Sequence, residues 1–157
     1  MEKQERDQLI AQYTDGYRAV AEALVKITPA ELDARPVPGK WTAREIVHHL
    51  ADSETMAAVR FRMLLAEDRP AIKGYDQEEF ARRLHYERPH AASLELFRAA
   101  RAATAELMGC LSEADWLRDG THSEHGRYGL DTWLRIYAQH AHKHADQIKA
   151  ARGSAKP

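Results

Sequence analysis

Apolar residues recur at three- and four-residue steps through four long stretches of this chain, and proline and glycine interrupt the pattern between them. That period belongs to amphipathic helices, each of which must bury one face against another element. Leu9, Ile10, Tyr13, Tyr17, Val20, Leu24 and Ile27 predict a first helix over about residues 3–27. Thr28-Pro29-Ala30-Glu31 is a capping box with proline at the first helical position, so a short helix follows. Arg35-Pro36-Val37-Pro38-Gly39 then forbids regular helix. Thr42-Ala43-Arg44-Glu45 is a second capping box, and the helix it opens is expected to reach about Ala66.

Asp76-Gln77-Glu78-Glu79 reads as the start of a short helix ending near Leu84, and a third long helix begins after Pro89. Leu94, Phe97, Ala100, Thr104, Leu107 and Leu111 share its face. Ser112–Asp115 starts a further short turn, and residues 118–129, with three glycines, read as a loop. A small hairpin around Thr121–Gly129 is the one strand-like alternative. The last long helix runs from near Asp131 to about Arg152. The expectation is all-α: a four-helix bundle with short extra helices in its connections. Residues 1–152 form one domain on this reading, and 153–157 a flexible tail.

Bundles build metal and cofactor sites between facing helices, and this chain carries nine histidines. At about 100° per residue, His140 and His144 lie about 40° apart and share a face, whereas His142 lies about 200° from His140. On the second helix His49 aligns with Ile46, Ser53 and Met56, while His48 falls toward the edge of that face. His49, His140 and His144 are therefore the candidate metal ligands, and His48 and His142 are not. Buried histidines each need a partner, and one shared metal satisfies three at once. Ala141 follows His140, so the glutamate of the HExxH peptidase motif is missing.

The formal net charge is −1 and the charges are interspersed, which gives no electrostatic footprint for nucleic acid. No apolar stretch approaches the roughly 20 residues that span a bilayer. The N-terminus lacks a signal-like apolar region, so a cytoplasmic protein with a small-molecule substrate is expected. Cys110, the only cysteine, lies among Leu107, Met108 and Leu111 and reads as a small buried hydrophobe.

The segment Trp41-Thr42-Ala43-Arg44-Glu45-Ile46-Val47-His48-His49-Leu50-Ala51-Asp52-Ser53 resembles the second-helix signature of the DinB-like superfamily. His140-Ala141-His142-Lys143-His144 with Gln147-Ile148 resembles its last-helix motif. Glu67–Pro70, Ile72–Asp76 and Glu124–Gly126 with Leu130–Thr132 resemble the YfiT-like branch, described as metal-dependent hydrolases and related to bacillithiol S-transferases. The likeness covers most of residues 8–152. It implies a four-helix bundle, a divalent metal on His49, His140 and His144, and a homodimer. One departure is Glu54, where close relatives carry His. It is expected beside the site or on the surface, and not as a ligand.

Three protein ligands leave a position open for a reacting water or thiol. The chemistry expected first is thiol transfer to a small electrophile, with a low-molecular-weight thiol as cosubstrate. Hydrolysis by an activated water is the alternative, and a non-catalytic metal-stabilised bundle in stress response is a third reading. Zinc or nickel is the expected metal. Asp52, Glu124 and His125 are the candidate catalytic residues, Asp52 by accepting a bond from a ligand histidine and the other two by reaching the site mouth as acid or base. Gln147 is expected to pack more than to orient a ligand. Trp41 reads as a staple at the helix start, and Trp133 and Tyr137 as core beside the metal. Arg60, Arg62 and Lys73 read as solvated surface charges, with the option of holding an anionic thiol.

Overall fold

The computed structural model describes residues 1–155. Four long helices dominate it: α1 (Lys3–Leu24), α3 (Ala43–Ala66), α5 (Ala91–Met108) and α6 (Leu130–Arg152). Two short helices, α2 (Pro29–Leu32) and α4 (Gln77–Arg83), and a 3-10 turn at Asp115–Leu117 sit in the connections. The capping boxes form at Thr28 and Thr42, each threonine hydroxyl accepting from the backbone N–H three residues on while the glutamate there accepts from the threonine N–H. Asp76 caps α4 through Glu78 N and Glu79 N. α1 stops before Ile27 because Lys26 takes a left-handed φ of 55° and turns the chain.

α1 packs on α6 and α5, and α3 packs on α5 and α6, so α1 lies diagonally across the bundle from α3, and α5 from α6. Helices joined by short loops end up as neighbours, so each diagonal needs a long crossover. The first uses Val25–Thr42 with α2, and the second uses Gly109–Gly129.

The second crossover holds a small sheet that the helical pattern does not predict. β2 (Asp119–His122) and β3 (Gly126–Gly129) pair antiparallel, and β1 (Ala71–Ile72) joins β2 in parallel, with Ile72 opposite His122. The loop Ser123-Glu124-His125 closes onto Gly126, whose φ of +69° suits a three-residue hairpin with glycine at the left-handed position. Arg118 ties the sheet to the bundle by donating to Leu64 O at 2.8 Å and to Glu67 O at 2.6 Å, at the end of α3.

The core has two parts. Tyr13, Phe61, Trp133 and Tyr137 stack in one, and Val20, Ile46, Leu50, Phe97 and Ile148 fill the other. Arg101 touches both, lying 3.9 Å over the Tyr13 ring and 5.5 Å from the Phe97 ring centre. Its guanidinium donates to Tyr13 O, Tyr137 O and the Glu54 carboxylate. Glu54, which also accepts from the Tyr13 hydroxyl, is thus not at the surface but fully buried, bonded to Tyr13 and Arg101. Burial pushes its carboxyl upward, and Arg101 and Tyr13 oppose that. Gly16 makes room for the arrangement, since a Cβ there would lie 2.7 Å from an Arg101 nitrogen and 2.7 Å from the Ala141 Cβ.

Cys110 is exposed, not buried. It follows Gly109, where α5 ends, and so leaves the apolar face that its neighbours occupy. Gly153, Ser154 and Ala155 continue as turns, bonded back to Lys149, Ala151 and Arg152. The rest of the expected tail lies outside the described residues. No helix among the described residues is long and apolar enough to cross a membrane.

Candidate metal centre

The box at Thr42 sets the start of α3, and with it the rotation that turns His49 inward. His49 meets His140 and His144 of α6. His140 Nε2 lies 3.3 Å from His49 Nε2 and 3.1 Å from His144 Nε2, and the three rings offer nitrogens all within 4.8 Å of one another. Two imidazole nitrogens bound about 2.05 Å from a tetrahedral ion stand about 3.3 Å apart. The two separations from His140 Nε2 are close to that value.

Hydrogen bonding alone does not satisfy this cluster. A neutral imidazole has one N–H and one lone pair. His140 Nε2 makes both contacts with either one proton or one lone pair, so at most one contact is a good hydrogen bond. The His144 Nδ1 donates to Gln147 Oε1 at 2.8 Å, which turns the His144 Nε2 lone pair toward the other two rings. A cation at the centre removes the conflict by accepting three lone pairs.

All three rings are held neutral, as ligation requires. Burial, with His144 adding to it, brings His49 down to about 3. Burial and the two neighbouring histidines place His140 well below its ordinary value. Burial lowers His144 too, against the Gln147 bond that raises it. The Nδ1 atoms of His49 and His140 are buried without a protein partner, so only His144 has a side chain that orients it.

The two rejected histidines have other partners. His48 bonds Ser93 Oγ at 2.8 Å and Arg88 O at 2.9 Å, and His142 Nε2 bonds Gln12 O at 3.0 Å. Trp41 does more than staple the helix start: its ring lies 4.7 Å from that of His49. The Tyr137 ring stands 5.9 Å from His140, and Trp133 is core, donating Nε1 to Ala57 O. Asp52 accepts from the Tyr86 hydroxyl at 2.7 Å and from none of the three histidines.

A cleft of about 170 Å³ opens on the His140 side. Glu124 and His125, from the hairpin loop, line it together with Ser53, Tyr75 and His122. The Glu124 carboxylate rests where a Cβ on Gly74 would be, so Gly74 admits it. His122, Glu124 and His125 also bring their ligand atoms within 4.8 Å of one another. His122 was not singled out from sequence, and the only signal for it was its place in a histidine-containing hairpin. A second cavity, about 420 Å³, meets the cluster at His144 and Gln147 and is walled by Val37, Trp41 and Ile46. Arg60 lines the first cleft and is buried, whereas Arg62 and Lys73 are exposed as expected.

Comparison with known proteins gives a consistent picture. A family model described as DinB superfamily matches residues 12–148. A "Putative metal-dependent hydrolase" of Oceanobacillus iheyensis is 33% identical over 131 residues, covering 83% of this chain and 76% of the relative. Another protein of that name, from Bacillus mycoides, is 29% identical over 146 residues, 93% of this chain and 84% of its own. Among solved structures, YfiT from Bacillus subtilis, described as "a probable metal-dependent hydrolase with an unusual four-helix bundle topology", superposes with a TM-score of 0.89 at 27% identity, covering 96% of this chain and 87% of that one.

Proposed function

We propose that this chain, which belongs to the DinB superfamily, holds a divalent metal ion on His49, His140 and His144 and works as a metal-dependent hydrolase. The meeting of three neutral Nε2 atoms at one point carries this reading. His49, His140 and His144 would hold the divalent ion, and it would supply Lewis acidity that brings the ionisation of a water down to near neutral pH. Three imidazoles and no thiolate suit zinc and nickel alike.

The chain's own residues supply the rest. Gln147 fixes the ring plane and tautomer of His144. Trp41 packs on His49 and keeps water from that side of the ring. Substrate enters by the cleft at His140, and Glu124 or His125 on its wall takes the proton from the nucleophile or passes one to the leaving group. Asp52 accepts from Tyr86 and makes no bond to the three histidines. The cavities reaching His140 and His144 speak against a purely structural ion, which would be walled in.

The second cavity favours one further reading, transfer of a thiol. A reaction of two substrates needs two approaches, and the cluster is reached from both the His140 and the His144 sides. In that reaction the thiol gives its proton to a base, its sulfur bonds an electrophilic carbon, and the leaving group departs with the bonding pair.

The test is elemental analysis of the purified chain beside His49→Ala and His144→Ala, followed by assays of esters and amides in water, and of a thiol with an alkyl halide. About one transition metal per chain, lost in both variants, with metal-dependent cleavage in water, supports the hydrolase. Turnover only when thiol is present replaces it with the transferase. No metal after reconstitution overturns both.

A further inference from the structure

Arg60 is a buried cation without a counter-ion. It stands on α3, 7% exposed. One terminal nitrogen donates to the Tyr137 hydroxyl at 3.2 Å and the other to Lys73 O at 2.8 Å, while Nε has no partner. Both acceptors are neutral. Other buried arginines of this chain differ: Arg6 meets Glu113 and Arg101 meets Glu54. Among the described residues no carboxylate lies within 4.0 Å of Arg60. A guanidinium does not shed its proton in a protein, and a buried charge is costly unless paired.

Arg60 lines the cleft that reaches His140, whose walls carry the phenols of Tyr75, Tyr128 and Tyr137, the imidazoles of His122, His125 and His140, and one acid. Burial, and Arg60 itself, hold His122 below its ordinary value. The Tyr75 hydroxyl is buried with no partner, and its ring lies 5.7 Å from the guanidinium. The single acid on the cleft wall, Glu124, is exposed at the hairpin tip and rests on Gly74.

We propose that this cleft receives the carboxylate of a small organic acid, with Arg60 as its counter-ion and the Tyr75 hydroxyl as a second donor. The idea rests on the metal-enzyme reading in one respect: a carboxylate beside Arg60 places the rest of the molecule toward His140. One guanidinium balances one carboxylate and leaves a phosphate dianion half neutralised. A cleft of about 170 Å³ is below the roughly 300–1,000 Å³ of sites for drug-sized ligands, so it suits a short acid and not a nucleotide.

The test is calorimetric titration of butyrate, butyramide and inorganic phosphate into the full chain, as purified and after chelation. Butyrate is expected to bind and raise the melting temperature, and butyramide to do neither. Arg60→Gln weakens butyrate by about 30-fold or more, Tyr75→Phe weakens it less, and Arg60→Lys keeps part of the affinity. Equal binding of butyramide, tighter binding of phosphate, or full affinity in Arg60→Gln overturns the proposal. The first two comparisons use the unaltered chain, so they stand even where a variant fails to fold. His144→Ala separates this site from the metal: butyrate binding that survives there supports the Arg60 site whether or not the chain binds metal. Its loss in that variant puts the anion on the histidines and overturns the proposal.

Discussion

Arg101 of α5 and Glu54 of α3 form an ion pair at 2.5 Å whose side chains are 2% and 0% exposed. Removing one member of such a pair leaves the other charge buried and costs about 3–5 kcal/mol, while replacing both with apolar groups is often neutral or better. Glu54→Ala should therefore lower the unfolding free energy by about 3 kcal/mol or more, and Glu54→Leu with Arg101→Met should recover most of that loss. Urea unfolding of the single and double variants is the check. Additive losses would show that the charges are not coupled.

Gly16→Ala tests the same region by volume. The added Cβ meets Arg101 and Ala141, neither at the free end of an exposed chain. Overpacking of this kind costs about 1–3 kcal/mol, although alanine otherwise favours a helix. A more stable variant in thermal melts would show that Arg101 shifts without cost.

Acid should destabilise the metal-free chain through its histidine cluster. His49 titrates near 3 in the folded state against 6.5 ordinarily, and His140 and His144 are lowered as well. Below about pH 6.5 the unfolded chain then binds more protons than the folded one, so stability is whole above that pH and is lost as pH falls toward 3. Melting temperatures of chelated wild type and His49→Gln at pH 7.5 and 5 isolate the effect, because the carboxylates are common to both. Wild type should fall further, and equal falls would remove His49 as a cause.

Gln147 should matter for metal affinity without touching metal. Losing a group that orients a ligand histidine costs about 10- to 100-fold in affinity, so Gln147→Leu should release metal to a competing chelator at correspondingly lower chelator concentration. His142→Ala, two residues from each ligand on α6 but bonded to Gln12 O, should hold metal as wild type does. Equal retention in both variants would reduce Gln147 to packing.

The helices and the meeting of His49 with His140 and His144 were legible because both depend on local spacing. A 100° step places side chains around an axis, and a threonine followed three residues later by glutamate marks where the axis starts. What stayed hidden depends on partners distant in sequence. β1 holds two residues and pairs with a strand about fifty positions on, so no alternation announces it. Glu54, expected beside the site or on the surface, is instead a core residue through Arg101, 47 positions away, which no local pattern announces. Arg60 misled in the same way, because its burial comes from the 71–75 segment and Tyr137. Asp52 read as a partner for a histidine, yet Tyr86, 34 positions away, occupies it.

The diagonal connection between α5 and α6 has a consequence for how such proteins diverge. Two of the three histidines belong to α6, while Glu124, His125 and His122 arrive on the crossover that precedes it. Insertions or exchanges within Gly109–Gly129 can thus reshape what the pocket admits while the helices keep their register. Selection can retune substrate preference in one short cassette, and a designer can graft a relative's hairpin there to do the same.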